Sequence, residues 1–372
     1  MIFRREKYLN KIYKSLENES LVLLLWTRQV WKTTILEILQ NELEWKKYFH
    51  SFEDDFWKLE FKNKNDFITY FELSLWVDFY NKWYFLIDEY QYIKNGEQIL
   101  KALYDDKNIK ITFIVTWSWL WTYWDDNNWT LVWRWEEIFI YSFDFFEFLN
   151  YKWINTNNLN IEDITENIIW LIKPYYEEFL TFWWYPAVIK SKTKEEKISE
   201  LEKIINRYID RDISFFLDKK ELLDFKKFFV YLNTQIWNLV KKEAISEYLG
   251  ISLKYIDKYL LILEKTLFVS RIYPFFKNKS KEYSSLPKIY FSDVWILNFL
   301  DKSFYYREND WKVVENFIFT ELQKNKLFNS DEIKIYKKIT KSEIDFIYDW
   351  LSKFIPIKVK SWNKKNIPKI FN

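Results

Sequence analysis

The residue pair Lys32-Thr33 lies in a segment whose pattern is typical of a phosphate-binding site. The segment Leu21–Leu36 reads LVLLLWTRQVWKTTIL. With glycine in place of Trp26 and Trp31, it becomes a complete G-x-x-x-x-G-K-[ST] loop that follows an apolar strand. The backbone amides of such a loop wrap a phosphate closely, and some need positive φ. Glycine meets both demands at the least steric cost.

The amino-acid composition indicates why two tryptophans stand at glycine positions. The chain of 372 residues has 22 tryptophans and only two glycines. The two counts together make about 6.5% of the chain, close to the usual glycine share of about 7%. Glycine would also be natural at Trp117, Trp133, Trp183, Trp184 and Trp295. We interpret most of the tryptophans as glycines of a lineage in which UGA encodes glycine, and a few as genuine.

The restored loop predicts a nucleotide site. Lys32 would reach the β- and γ-phosphates of ATP, and the Thr33 hydroxyl would hold Mg²⁺. The N-terminus of the following helix would face the anion. Arg28 either touches phosphate or points outward. The predicted cofactor-binding residues of the segment are Trp26, Thr27, Arg28, Gln29, Val30, Trp31, Lys32, Thr33 and Thr34.

Two acidic residues follow the next apolar run, Tyr84–Ile87. Asp88 would contribute to the Mg²⁺ shell, and Glu89 would polarise the attacking water as the catalytic residue. Acidic residues also end ordinary strands. The position of this pair, about one βα crossover after the loop, favours the catalytic interpretation.

Three further residues have two interpretations each. Thr116 and Ser118, after the apolar run Ile111–Val115, either hydrogen-bond the γ-phosphate or lytic water or form a plain turn. Arg134 is either an arginine finger, which neutralises charge that builds on the γ-phosphate, or a solvated surface arginine.

These residues follow apolar strands that are separated by helical stretches. Leu21–Leu25 lacks polar alternation, as expected for a parallel strand that is covered on both faces. The candidate residues follow the carboxyl ends of three such runs, where open α/β sheets bind ligands. The sequence therefore predicts an α/β fold with a parallel sheet.

Composition excludes several other classes of function. The 56 basic and 54 acidic residues nearly balance, which argues against bulk nucleic-acid binding. Without cysteine, the chain has no disulfide and no thiolate site. The single histidine, His50, rules out a multi-histidine metal site, and we expect it to be a solvated surface residue. With no signal-peptide core and no membrane-length apolar run, the expected location is the cytoplasm.

The remaining sequence divides into three predicted segments after a domain at 1–150. Residues 151–235 form a helical lid or linker, and 236–275 a winged-helix-like segment. Within it, Lys242–Leu249 and Leu253–Leu263 are helices joined at Gly250. Lys254 and Lys258 either contact DNA phosphates, or the module serves protein contacts or acts as a lid. Residues 276–372 form an α/β domain with strands at Lys288–Phe291, Ile333–Tyr336, Ile344–Tyr348 and Ile355–Val359, and a helix at Val313–Leu322.

Nearly the whole chain resembles the bacterial and archaeal AAA-type ATP-binding proteins that join an ATPase domain to a nuclease-like C-terminal domain. The resemblance implies an AAA-type P-loop fold, ATP and Mg²⁺ binding, and hydrolysis. With glycine restored, the matching blocks are GTRQVGKTT at the loop, FLIDEYQ at Asp88, VTGS at Thr116, LVGR at Arg134, SFDFFEFL at Ser142–Leu149, GGYPAV at Trp183–Val188, KIYFSDVGIL at Lys288–Leu297, ENFIFTEL from Glu315 and SEIDFIY from Ser342.

The C-terminal blocks only partly match a nuclease site. Restriction-nuclease-like folds gather two carboxylates and a lysine around Mg²⁺. Asp345 and Lys360 match, and Glu315 could supply the helix-borne acid. Lys358 stands where the second strand acid is expected, so a metal ligand is replaced by a repelling charge. We therefore expect a nuclease fold without cleavage.

Three hypotheses remain. The first is an ATP-dependent switch or motor that acts on a protein or DNA partner, with oligomerisation open. The second is a non-catalytic binding protein, if Trp26 and Trp31 are literal and indoles fill the phosphate cradle. The third is an ATP-gated nuclease, which would be tested by comparing plasmid nicking by the unmodified protein and by Asp345→Ala; equal nicking would eliminate it. The codons at positions 26 and 31 separate the first two.

Overall fold

The structure is a computed structural model that describes fourteen segments of the chain, and it forms two compact units, Met1–Tyr141 and Ser142–Asn372. The described residues are 3–18, 21–26, 32–52, 59–117, 136–156, 164–182, 185–214, 216–236, 238–276, 278–305, 310–325, 333–336, 344–350 and 353–359. The division of the sequence into four segments stays a prediction.

The N-terminal unit is built on one parallel sheet with strand order β2-β3-β4-β1-β5. The predicted parallel α/β architecture is therefore confirmed. The described elements are, in chain order, α1 (Glu6–Leu16), β1 (Leu21–Trp26), α2 (Lys32–Glu42), β2 (Lys47–Ser51), α3 (Lys64–Leu75), β3 (Tyr84–Asp88), α4 (Gly96–Tyr104), β4 (Thr112–Trp117) and β5 (Glu136–Ile140), with a short 3₁₀ turn at Tyr90–Tyr92.

Burial along the strands explains which of them the sequence predicts. Leu21–Leu25 is at most 3% exposed, as expected for a central strand covered on both faces. The strands β2 and β5 lie at the two edges of the sheet. Their sequences, KYFHS and EEIFI, mix polar and apolar residues, because edge strands are partly solvated. Neither strand is predicted from the sequence.

His50 is partly buried and is not the fully solvated surface residue that the sequence predicts. It lies on β2, with its ring 4.5 Å from the Phe52 ring and 5.1 Å from the Phe71 ring, and its Nε2 atom is buried. The apolar contacts of the edge strand draw the imidazole inward, which a polar local sequence does not reveal.

The C-terminal unit is mainly helical and carries two small antiparallel sheets, β6-β7 and β10-β9-β8. Its elements are α5 (Phe145–Tyr151), α6 (Glu166–Phe182), α7 (Pro186–Lys190), α8 (Lys194–Arg207), α9 (Lys219–Gln235), α10 (Lys242–Leu249), α11 (Leu253–Lys265), β6 (Val269–Ile272), α12 (Lys279–Tyr283), β7 (Lys288–Phe291), α13 (Trp295–Leu300), α14 (Trp311–Lys324), β8 (Ile333–Tyr336), β9 (Ile344–Trp350) and β10 (Lys353–Ile357).

The helices α10 and α11 meet at Gly250, where the sequence places the turn. Gly250 has φ of 66°, the left-handed conformation that glycine adopts most readily. On α11, Lys258 pairs with Glu221 at 2.8 Å, and Asp257 pairs with Lys242 at 2.7 Å. One of the two lysines predicted to face DNA is thus engaged within the protein. The winged-helix and nuclease-like assignments stay predictions.

Candidate functional site

The candidate site lies at the carboxyl ends of the central strands of the N-terminal unit. Because β4 lies between β1 and β3, its last residues adjoin the ends of both neighbours. Leu24 of β1 is opposite Thr116 of β4, and Ile87 of β3 is opposite Val115. The strand order therefore places Thr116 next to the acidic pair Asp88-Glu89.

Asp88 and Thr116 form a direct hydrogen bond in the protein interior. The Thr116 hydroxyl donates to Asp88 Oδ1 at 2.5 Å. Thr116 is fully buried, and Asp88 is 4% exposed. A buried carboxylate needs such a donor to offset the cost of leaving water.

Glu89 is held in an unusual backbone conformation at the end of β3. Its φ of 56° and ψ of 44° lie in the left-handed region, which non-glycine residues seldom adopt. Its backbone N–H donates to Thr116 Oγ1 at 2.8 Å. Its half-buried carboxylate accepts a hydrogen bond from Gln91 Nε2. Left-handed residues often mark functional sites, because surrounding contacts must maintain the strain.

The turn after Glu89 is anchored by Tyr90. This side chain is fully buried, and its hydroxyl donates to the Gly96 carbonyl oxygen at 2.9 Å. A Cβ on Gly96 would lie 2.8 Å from Tyr90 Cε1, so this position requires glycine. Burial raises the pKa of Tyr90 far above its ordinary value, which keeps the hydroxyl a donor.

Gln91 is a residue of this site that is not predicted from the sequence. It is 5% exposed, and its amide contacts the Glu89 carboxylate two residues earlier. An i, i+2 contact depends on the tight 3₁₀ turn that follows Glu89, and no periodicity in the sequence predicts that turn. The only available indication was the position of Gln91 within the block FLIDEYQ.

The predicted phosphate loop connects two described elements. Trp26 is the last residue of β1, and Lys32 is the first residue of α2. The strand-before, helix-after arrangement that the motif requires is therefore present. Thr33 and Thr34 belong to the first turn of α2, and Thr34 is half-buried. Seven predicted site residues lie outside the described residues: Thr27, Arg28, Gln29, Val30, Trp31, Ser118 and Arg134.

The donor set around Asp88 fits a magnesium ion that also binds phosphate. Asp88, Glu89 and Thr116 offer oxygen atoms alone, and Mg²⁺ is bound through one or two carboxylates plus substrate phosphates. Across the described part of the chain, no group of three or more acidic or histidine side chains forms a metal cage. A site completed by the phosphates of a nucleotide needs no such cage.

In the second predicted cluster, in the C-terminal unit, both acidic side chains accept hydrogen bonds from donors of the same unit. Glu315 Oε1 accepts from the Tyr290 hydroxyl at 2.6 Å and from Lys288 Nζ at 3.1 Å. Asp345 Oδ2 accepts from the Val359 N–H at 2.6 Å. Burial, and then the charge of Glu315, raise the pKa of Asp345 above its ordinary value. Lys360 lies outside the described residues.

Comparison with known proteins gives a match over the N-terminal unit. Residues 18–149 match a family described as an AAA domain. The match spans the parallel sheet, the predicted loop and the Asp88-Glu89 pair, and it supports an AAA-type P-loop ATPase domain. Residues 173–305 match a domain of unknown function (DUF8612). No curated protein matches the chain.

Several solved structures are distantly similar to the chain. A Walker-type ATPase of Pyrococcus abyssi has 15% identity and a TM-score of 0.49, with 81% of this chain and 96% of that chain covered. The RuvB Holliday junction branch migration motor of Thermotoga maritima has 16% identity, a TM-score of 0.30, and coverage of 72% and 90%. The ORC2 protein of Aeropyrum pernix in its ADP form has 9% identity, a TM-score of 0.35, and coverage of 80% and 91%. All three TM-scores are below 0.5.

Among the described residues, no helix combines the length and the apolar character needed to span a bilayer.

Proposed function

We propose that the N-terminal unit binds ATP with Mg²⁺ and hydrolyses it, and that the protein acts as a switch or motor on a protein or DNA partner. The observation that carries the proposal is the acidic pair at the end of β3, which is hydrogen-bonded to Thr116 of β4, the strand that pairs with β1. The match of residues 18–149 to an AAA domain supports it.

The predicted site residues take distinct roles in this proposal. Lys32 and the loop would bind the phosphates, while Thr33 and Asp88 would hold Mg²⁺. Bound Mg²⁺ neutralises charge on the β- and γ-phosphates. Glu89 would accept a proton from the attacking water, because its half-buried carboxylate lies at the strand end beside Asp88. Arg134 is the proposed arginine finger.

We also propose that Trp26 and Trp31 stand for glycine. Two other tryptophans adopt the left-handed conformation that favours glycine: Trp76 with φ of 57° and Trp153 with φ of 65°. The indole N–H of Trp117 is buried without a hydrogen-bond partner among the described residues, which is uncommon for a polar group that belongs in a core. These observations support the recoded interpretation.

The surroundings of Trp83, in contrast, favour a tryptophan side chain, and we propose that this residue is a genuine tryptophan. Its ring stacks on Tyr48 with 5.6 Å between centroids, and Lys46 Nζ lies 4.1 Å from its ring centre. A glycine would lose both the aromatic stack and the cation–π contact. The environment of each tryptophan therefore separates those that stand for glycine from those that are genuine.

Nucleotide binding tests the proposed function directly. Labelled ATP with Mg²⁺ would be titrated into the protein as written and into the double variant Trp26→Gly/Trp31→Gly. We expect binding by the double variant alone, because indoles would occupy the phosphate cradle of the unmodified chain. Lys32→Ala in the double variant is the matched control and should abolish binding. If neither version binds ATP, the protein is a binding scaffold with a degenerate loop.

A further inference from the structure

One hydroxyl group, that of Thr116, contacts both acidic residues of the proposed ATPase site. The backbone pairing of β3 with β4 ends at the pair Ile87–Val115. Beyond that pair, the Thr116 side chain supplies the next contacts between the two strand ends. It donates to Asp88 Oδ1 at 2.5 Å and accepts from the Glu89 N–H at 2.8 Å.

The number of protons on this hydroxyl limits its role. A threonine hydroxyl has one proton to donate, and here Asp88 receives it. The hydroxyl is fully buried beside that carboxylate. Contact with a γ-phosphate would require Thr116 to give up the bond to Asp88.

The two contacts fix two separate features of the site. The bond to Oδ1 orients the Asp88 carboxylate, the proposed magnesium ligand. The bond from the Glu89 N–H stabilises the left-handed backbone from which the Glu89 carboxylate projects. On the other side of that residue, Gln91 Nε2 donates to the same carboxylate. Glu89 is therefore held at both its backbone and its side chain.

We propose that Thr116 is a positioning residue that sets the geometry of Asp88 and Glu89 together and does not read the γ-phosphate. The inference rests on the proposed ATPase function. It predicts that loss of the hydroxyl impairs hydrolysis and the use of Mg²⁺. The preference for ATP over ADP should stay unchanged, because no contact to the γ-phosphate is removed.

The test compares Thr116→Val, which has the same shape without the hydroxyl, with Thr116→Ser, which keeps it. Both are made in the ATP-binding version of the protein. We expect Thr116→Val to lower kcat about 100-fold, the scale of a small misplacement of catalytic groups, and to need more Mg²⁺ for half-maximal rate. The ratio of ATP to ADP affinity should not change. Thr116→Ser should restore most of kcat.

Two results would overturn the inference: a fall in the ATP-to-ADP affinity ratio of Thr116→Val, which indicates a γ-phosphate contact, or an unchanged kcat. If Thr116→Val does not fold, Thr116→Cys replaces it. The thiol is a weak donor of similar size, and it should give an intermediate kcat at an unchanged affinity ratio.

Failure of the proposed function gives a different result from failure of the inference. Absence of ATP binding, or hydrolysis that Glu89→Gln leaves unchanged, rejects the ATPase and with it the role of Thr116. Hydrolysis that depends on Glu89 but not on the Thr116 hydroxyl rejects only the inference.

Discussion

Each unit of the molecule contains a cluster of buried polar side chains, and the two clusters are built on different principles. In the C-terminal unit, Lys324 Nζ donates to Ser142 Oγ at 2.6 Å, to Asp293 Oδ1 at 2.9 Å and to the Phe143 carbonyl oxygen at 3.2 Å. Three acceptors thus match the three protons of the ammonium group. The Tyr185 hydroxyl donates to the other oxygen of Asp293 at 2.7 Å.

The N-terminal cluster differs in exposure and in backbone geometry. The side chains of Lys324 and Asp293 are 1% and 3% exposed, whereas Glu89 is only half-buried. Glu89 also has a left-handed backbone, and none of the four side-chain partners in the C-terminal cluster does. A closed cluster with matched donors favours one folded arrangement, while a strained and partly open cluster can meet a ligand. Substitutions should therefore affect activity in the first unit and stability in the second.

Glu89→Gln should have the largest effect, and it should fall on catalysis. Loss of a general base lowers the rate of proton transfer about 10²- to 10⁴-fold. In the ATP-binding version, we expect hydrolysis to fall by that amount while ATP still binds and the melting temperature stays within a few degrees. Phosphate release and thermal unfolding measure the two effects. Hydrolysis at the original rate would show that Glu89 is not the base.

Lys324→Met should lower stability and not catalysis, the reverse of Glu89→Gln. The substitution leaves Asp293 buried and charged without its cation, which costs about 3–5 kcal/mol in the free energy of unfolding. Denaturant unfolding measures the loss. The control is the double variant Lys324→Met/Asp293→Asn, which removes the unpaired charge and should recover most of the stability. A loss below about 1 kcal/mol for the single variant would mean that the cluster is not closed as described.

The two clusters were also unequally predictable from the sequence. Asp88 and Glu89 follow an apolar run at a motif distance from Lys32, so local patterns indicate their place in the site. The Thr116 hydrogen bonds depend on β4 lying next to β3, which the strand order decides and the residue types do not. Lys324 and Ser142 are 182 positions apart in the chain. No local pattern can predict that contact, because tertiary packing alone brings the two residues together.

Trp153→Gly tests the left-handed positions with a smaller effect. The Trp153 N–H donates to the Asn150 carbonyl oxygen at 3.0 Å, and the Ile154 N–H to the Leu149 carbonyl oxygen at 2.9 Å. This pair of bonds is the Schellman motif, whose left-handed residue is usually glycine. We expect Trp153→Gly to stabilise the protein by about 1 kcal/mol, because a side chain in that conformation costs 1–2 kcal/mol. Thermal and denaturant unfolding measure the gain.

The matched control for Trp153→Gly is Trp170→Gly. Trp170 is 61% exposed and lies inside α6, where glycine is less favourable than tryptophan by about 0.5 kcal/mol. The two substitutions should thus change stability in opposite directions. Leu267 and Lys302 also adopt positive φ, so this conformation alone does not identify a recoded residue. The stability change measures the cost of a side chain at position 153. The codon at that position decides whether the tryptophan stands for glycine. Destabilisation by both substitutions would contradict the environmental separation of the tryptophans.

Asp345→Asn should have the smallest effect, and the effect should depend on pH. Burial and then Glu315 raise the folded-state pKa of Asp345 above its ordinary value of 3.8, although the Val359 N–H, Lys288 and Lys358 oppose the shift. The stabilising contribution of its neutral form is therefore complete below pH 3.8 and is lost as the pH rises through the folded-state pKa. The asparagine variant, which is always neutral, should be more stable than the unmodified protein at neutral pH, by less than about 1 kcal/mol at this partly solvated site. The difference should shrink as the pH falls towards 4.

Melting temperatures across this pH range measure the difference, with Asp257→Asn as the exposed control. A difference that grows in acid would mean that the Asp345 carboxylate is stabilised in its charged form, as a ligand of a cation would be.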